Sequence, residues 1–447
     1  MLAKCFVAAL VATSALTVSA QQQQQQQNPL RPVNPRSFAT KTAYWDQRNA
    51  DDYDVDVLRA KAQAQVERQN LTLVQVQQIN RHGTRFPTKS NTQEIIDLLT
   101  KLQTNYSSAI PAWLRNYSLP YNLTIEGNLA PAGAQELFKL GGRTRDTVGT
   151  DLPTEYVADK FIFQHTYKLR TKDSATSFAK SFFTNPQDVK YIEYPKTGDR
   201  LLRYFDECPR YNSEVAENET ALAELTAYKA SKKMDANIAI LKSKLNLDSS
   251  ADITAVDVES AFSACAFDIA IYNTYTNWCT LVTKSFVDSL DYAEDMESFY
   301  EQGAGYKINY EIAAVLLKDV FKYITDFIAG TTPVVGNFRF AHAETTLPLM
   351  TLLGYGDRTP LLATYTADQV DQRGFRTSRL SPLAANLDFR LYQSKTNSSA
   401  YFVQVLVNEK TAALPGCDGK VFCELAQVEQ AWGYYLNTYD FDADCKV

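Results

Sequence analysis

Three times along this chain an extended apolar segment stops at a short polar stretch that leads into a helical pattern. Residues 71–79 carry Val74, Val76 and Ile79 in a glutamine-rich extended run that halts at Asn80-Arg81-His82-Gly83, as a strand does where it enters a loop. A helix is expected next, because Ser90 with Gln93, or Asn91 with Glu94, offers a capping pair ahead of Ile95, Ile96, Leu98 and Leu99. The grammar returns as extended 160–163, polar 170–174 and helical 175–183. It returns again as extended 337–340, Ala341-His342-Ala343-Glu344 and helical 345–353, and a later buried strand is expected over 401–407. Such alternation predicts an α/β fold with a mostly parallel sheet flanked by helices, in which ligands sit outside the carboxyl ends of the strands.

Between these pieces Ala, Leu, Lys and Glu recur at helical spacing over 214–245 and 300–328. The expected organisation is an α/β domain in three parts, 37–110, 152–204 and 321–447. A helical excursion over 111–151 and a smaller, mainly α-helical inserted domain over 205–320 interrupt it. Residues 21–36 open with the run Gln21 to Gln27 and continue polar and proline-containing, which predicts a disordered leader outside the fold.

Residues 1–20 read as a secretory signal: Lys4 supplies the positive start, an apolar run follows, and Val18-Ser19-Ala20 is a small-residue cleavage site. The apolar run is below spanning length, so no membrane anchor is expected. Of the 7 cysteines, removal of Cys5 with the signal leaves Cys208, Cys265, Cys279, Cys417, Cys423 and Cys445, an even set that suits disulfides in an oxidising compartment. Their pairing is not deducible from sequence. The short separations favour Cys265 with Cys279 and Cys417 with Cys423, leaving Cys208 with Cys445. No CxxC pair or histidine cluster supports metal ligation, and the reading calls for no cofactor. Sequons at Asn70, Asn105, Asn116, Asn122, Asn218 and Asn397 agree with export to the extracellular space or a secretory lumen. The formal charge of −6 without a long basic run argues against a nucleic-acid or membrane-surface partner. Any positive field for an anionic substrate must be local.

Metal-free hydrolysis of a phosphate monoester needs a nucleophile, fixed positive charge on the non-bridging oxygens and an acid for the departing alkoxide. His82 follows a predicted strand between Arg81 and Arg85, whose guanidinium forks match phosphate oxygens. Gly83 is expected to let a phosphate approach the backbone. The competing reading is a surface loop with solvated arginines and a satisfied histidine. Against it, the chain has only 3 histidines, His82, His165 and His342, and two of them terminate predicted parallel strands. Glu344 stands two positions after His342, so extended backbone would project both side chains to one side and pair a phosphate donor with an acid. A capping carboxylate on the following helix is the alternative for Glu344. Neighbouring arginines should lower the pKa of His82, and Glu344 must be protonated to donate, so an acidic optimum is expected.

The run Arg81-His82-Gly83-Thr84-Arg85-Phe86-Pro87 resembles the RHGxRxP signature of the histidine acid phosphatases. The resemblance implies that His82 is the nucleophile and that Arg81 and Arg85 bind the transferred phosphate. Arg170, ahead of Asp173-Ser174 and Phe178, resembles the family's third phosphate-binding arginine, and His342 its second-motif donor. His342-Ala343-Glu344 departs from the commoner His-Asp and resembles the HAE form of the multiple inositol polyphosphate phosphatase branch. Segments 202–208, 277–279, 375–378, 407–410 and 414–417 resemble that branch too. The implied substrates are inositol polyphosphates, phytate first, with bisphosphoglycerate a second. Lys89, Lys168 and Lys172 are candidates for contacts to the outer phosphates. Other readings are a broad-specificity acid phosphatase, a phosphoglycerate-mutase-type phosphotransferase and a catalytically inactive phosphate-binding protein.

Overall fold

The chain is described by a computed structural model over residues 33–45, 64, 66–67 and 70–447. The signal segment and most of the glutamine-rich leader lie outside these residues. The leader's last residues do not: Val33 is buried with Phe38 and Ile95, and the Asn34 amide donates to Ser37 Oγ at 3.0 Å. An apolar side chain with a core to enter thus takes the end of that segment into the fold.

One sheet organises the molecule. Its strands are β1 (Leu71–Arg81), β2 (Phe161–His165), β3 (Tyr191–Glu193), β4 (Gly336–Ala341), β5 (Asn386–Ser394), β6 (Tyr401–Val407), β7 (Lys410–Ala412) and β8 (Cys423–Glu424). The order is β3-β2-β4-β1-β5-β6-β7, with β8 on β6. The ladders β3/β2, β2/β4 and β4/β1 are parallel. Those from β1 through β5 to β6, and β7 and β8 on β6, are antiparallel. The sheet is therefore mixed, with every anticipated strand-loop-helix unit in its parallel half. β5 escaped sequence reading because Asp388 and Arg390 break its apolar pattern; in the fold they are buried and pair with each other, Nε to Oδ2 at 2.8 Å.

Covering on both faces explains the glutamines of β1. Gln75 donates to the carbonyls of Tyr323 and Val334, and Gln77 Oε1 accepts from the buried Arg339, so burial is met in part by hydrogen bonds, while Gln75 Oε1 and Gln77 Nε2 stay buried without a partner among the described residues. On one face Ile79, Leu387, Phe389 and Val403 pack under the helix Ala314–Ile328. On the other Phe161, Phe163, Phe338 and Phe340 meet Phe178 and Phe182. Each fully buried ring contributes roughly 1.5–3 kcal/mol of transfer free energy.

The helices around the sheet and its strand ends include α1 (Lys89–Asn105), α2 (Pro131–Val148), α3 (Leu169–Phe182), α4 (Ala255–Tyr272), α5 (Lys284–Glu301), α6 (Ala314–Ile328) and α7 (Ala343–Leu353). Thr88, not Ser90 or Asn91, caps α1 by accepting from the Asn91 N–H. The polar stretch 170–174 lies inside α3, where Thr171 and Ser174 hydroxyls donate back to the Lys168 and Arg170 carbonyls. The stretch 214–245 is broken at Ala230, after which Ser231 caps a new helix. The stretch 300–328 is broken at Gly303 and Gly305, whose missing side chains let the backbone turn against Phe375 and Tyr300. The expected boundary at 320 falls inside α6, which packs on the sheet. Disulfides join Cys208 to Cys445, Cys265 to Cys279 and Cys417 to Cys423. Among the described residues no helix is long and apolar enough to cross a membrane.

Candidate active site

β1 ends at Arg81, and His82 hangs from the sheet by its own N–H to the Ala341 carbonyl at 3.0 Å and its carbonyl to the Ala384 N–H. The neighbouring strand β4 ends at Ala341, in register with Arg81, so His342 emerges beside His82. Their ring centroids are 5.7 Å apart. His165 ends β2, so all three histidines sit at parallel strand ends; its Nδ1 lies 2.8 Å from the Thr166 carbonyl. Register of the parallel ladders brings together residues far apart in sequence.

His82 is 3% exposed. Its Nδ1 lies 2.9 Å from the Gly83 carbonyl, which can only accept. The proton therefore resides on Nδ1 and Nε2 keeps its lone pair; among the described residues Nε2 has no hydrogen-bond partner. Burial, then the charges of Arg170 and Arg81, hold the imidazole pKa well below its ordinary value.

The glycine after His82 also has a packing reason. A Cβ on Gly83 would lie 2.5 Å from the Gly133 carbonyl oxygen, and one on Gly133 would lie 2.1 Å from the Thr84 oxygen. The pair is needed for the His82 loop to seat on the first turn of α2. There Glu136 accepts from the Thr84 N–H at 2.7 Å and from its hydroxyl at 3.0 Å. Burial pushes the Glu136 pKa up to about 7.

Arg81 Nη1 donates to the carbonyls of Thr40 and Ser381, both at 2.6 Å. Arg85 donates to the Phe86 carbonyl and lies over the ring of Phe267 on α4. Arg170, in the first turn of α3, donates through Nη2 to His342 Nδ1 at 3.3 Å. His342 Nε2–H must then donate to Thr166 Oγ1 at 2.9 Å. The Nε of Arg81, of Arg85 and of Arg170 is in each case buried without a partner. These three guanidinium groups, with open donors, form no salt bridge among the described residues. Burial and mutual repulsion lower Arg81 to about 10 and Arg85 to about 9. Burial comes first again for His342, whose pKa lies well below the ordinary value. Such a cluster demands an anion.

Glu344 is exposed in the first turn of α7. The backbone turns helical at Ala343, so Glu344 follows His342 in a helical turn and not on extended chain. Among the described residues it makes no hydrogen bond or ion pair, and Thr345 Oγ1, not Glu344, meets the His342 N–H. Its charge reaches Arg81, Arg85 and Arg170. Lys168 lies close enough to act on His342. Lys172 stands by His165 and Asp173, and Lys89 is exposed at the start of α1. Sequence reasoning assigned no role to Glu136 or Arg203. Arg203 acts on both Arg170 and His342, stacks on Tyr167 and Phe205 and pairs with Asp206. Glu136 carries no local signal beyond its residue type, whereas Arg203 lies within the 202–208 segment, whose resemblance assigns that residue no role. No group of three His, Cys, Asp or Glu among the described residues is arranged to hold a metal ion.

A neutral imidazole nitrogen at the ends of parallel strands, ringed by guanidinium groups that form no salt bridge among the described residues, defines an α/β enzyme of phosphoryl transfer through histidine. Residues 72–408 match the histidine phosphatase superfamily (branch 2), and the chain belongs to that family. It is 30% identical over 372 residues to multiple inositol polyphosphate phosphatase 1 of Homo sapiens, covering 77% of this chain and 75% of that one. In fold it is similar to the phytase from D. castellii, with a TM-score of 0.71 at 19% identity over 84% of this chain and 82% of that chain. It is also similar to the Bifidobacterium longum multiple inositol polyphosphate phosphatase in complex with inositol hexasulfate, with a TM-score of 0.68 at 18% identity over 91% and 99% of the two chains.

Proposed function

We propose that this chain is a secreted, metal-independent phosphomonoesterase that removes phosphates from inositol polyphosphates, phytate among them, through a phosphohistidine at His82. The observation that carries the reading is the open Nε2 of His82 among three arginines with unpartnered Nε donors. The names of the relatives support the substrate class.

In the proposed cycle Nε2 attacks phosphorus as the ester P–O bond breaks, and Glu344 delivers its proton to the leaving alkoxide oxygen. Arg81, Arg85 and Arg170 hold the non-bridging oxygens. The Gly83 carbonyl supports the positive charge that the ring gains on phosphorylation. A phosphate dianion replacing the Arg170–His342 contact draws a proton to His342 Nδ1, which then donates to it. Water next attacks phosphorus and gives a proton to Glu344, and cleavage of the N–P bond returns His82 to its resting form. Lys168 and Arg203 are the cations we assign to neighbouring phosphates of a polyanionic substrate.

The signal-like 1–20 segment, the three disulfides and the sequons support secretion. Asn70, Asn105, Asn116, Asn122 and Asn397 are exposed, whereas the Asn218 amide nitrogen already donates to the Glu214 carbonyl. The packing of α6 on the sheet supports a division in which the inserted helical domain ends before that helix.

The test is incubation of the purified protein with phytate and with an aryl phosphate across pH, the inositol products being resolved by chromatography. His82→Ala is expected to lose at least about a thousand-fold in turnover and all acid-labile phosphoenzyme. Wild-type turnover in that variant would overturn the mechanism. Fast aryl phosphate turnover beside negligible phytate turnover would leave a broad-specificity acid phosphatase.

A further inference from the structure

Arg81 is aimed by groups other than the residues assigned to the phosphate. Its Nη1 is occupied by two carbonyls, Thr40 and Ser381, which leaves Nε and Nη2 as the open fork. Each carbonyl belongs to a short segment held by a buried aspartate of α5. Asp291 Oδ1 accepts from the Ala39 N–H at 2.7 Å, next to Thr40. Asp295 Oδ1 accepts from the Thr377 N–H at 2.8 Å and its hydroxyl at 2.6 Å, and the turn it starts closes with the Ser381 N–H on the Thr377 carbonyl at 2.8 Å.

The aspartates are four residues apart on α5 and so share one face. Their second oxygens converge on Arg373, Nε to Asp295 at 2.7 Å and Nη2 to Asp291 at 2.6 Å. All three side chains are at most 2% exposed. An ion group buried so deeply contributes little net stability for its desolvation cost, and its best-attested use is to fix one geometry.

We infer that Arg373, Asp291 and Asp295 form a positioning staple, which sets the Thr40 and Ser381 carbonyls and through them the direction in which Arg81 presents its fork to phosphate. The inference rests on Arg81 holding the transferred phosphate. Arginine at 373 is required because only a planar fork reaches both carboxylates with fixed angles.

A double-mutant cycle separates positioning from mere stability. Arg373→Lys keeps the charge and loses the fork, and Thr377→Val removes one hydroxyl contact at constant volume. In the Arg81-containing enzyme we expect kcat/KM for an aryl phosphate to fall about ten-fold and about three-fold respectively, since small misplacements of a clamp are costly. In an Arg81→Ala background the same substitutions should each change kcat/KM by less than about two-fold. Equal losses in both backgrounds, or no loss from either variant, overturns the inference. If Arg373→Lys does not fold, Thr377→Val decides alone. Wild-type activity in Arg81→Ala would instead remove the phosphate-holding role on which the inference rests.

Discussion

His82 has two ring nitrogens with different duties, one tied to the Gly83 carbonyl and one open. Because burial and the arginines hold its pKa well below the ordinary value, the ring stays unprotonated as pH falls through about 6.5. The kcat/KM of the free enzyme is therefore expected to remain near its maximum at about pH 5. An acid limb with its midpoint at about 6.5 in a pH profile would show that the nucleophile titrates normally. For Glu344 the expectation concerns the leaving group. Glu344→Gln should slow phosphoenzyme formation from phytate by about 10²–10⁴-fold. The first, phenol-releasing step with p-nitrophenyl phosphate should slow far less, and stopped-flow bursts measure it. Equal losses would remove Glu344 from the donor role. The proposal of these roles was open at residue level, because an imidazole, its flanking arginines and a nearby carboxylate state their chemistry by type. The tautomer was not, since it depends on one carbonyl whose direction is a property of the folded loop.

At the scale of elements, the loop after β1 is a docking surface for α2. Two glycines on that helix give a contrast. Gly133→Ala would set a Cβ 2.1 Å from the Thr84 oxygen, whereas at Gly142 the nearest atom is Ser181 Cβ at 3.8 Å. Gly133→Ala is expected to cost about 1–3 kcal/mol in denaturant unfolding, and Gly142→Ala to add about 0.5–1 kcal/mol from helix propensity. Similar midpoints for the two variants would contradict the packing account. Strand existence was readable at β1, β2, β4 and β6 from apolar runs, but β5 was not, because its charged residues are internally paired. Helix limits failed where hydroxyls donate back to carbonyls, as in α3, and where glycines break a run that helical spacing would continue.

For the whole molecule the notable quantity is the contrast between a formal charge of −6 and a cationic cluster in which Arg81 and Arg85 are lowered to about 10 and about 9. An anion relieves that repulsion only in the folded state. Inorganic phosphate at about a hundred times its Kd is expected to add about 2.7 kcal/mol of stability, read as a rise in Tm against sodium chloride of equal ionic strength. Arg85→Ala should lose most of that rise. The same rise from chloride would mean general screening and not a site.

The sequence by itself determined the strand-loop-helix grammar, the residues at the strand ends and the class of chemistry they can perform. These are local properties, written in periodicity and in side-chain type. Only the tertiary structure decided that His82 and His342 stand side by side, since that follows from the register of β1 on β4. It also decided that Gly83 packs against Gly133, and that Asp291, Asp295 and Arg373 reach Arg81 through two carbonyls. Each of those depends on hydrogen bonds between segments far apart along the chain, and on burial, which sets both the cost of an unpaired donor and the protonation of an imidazole.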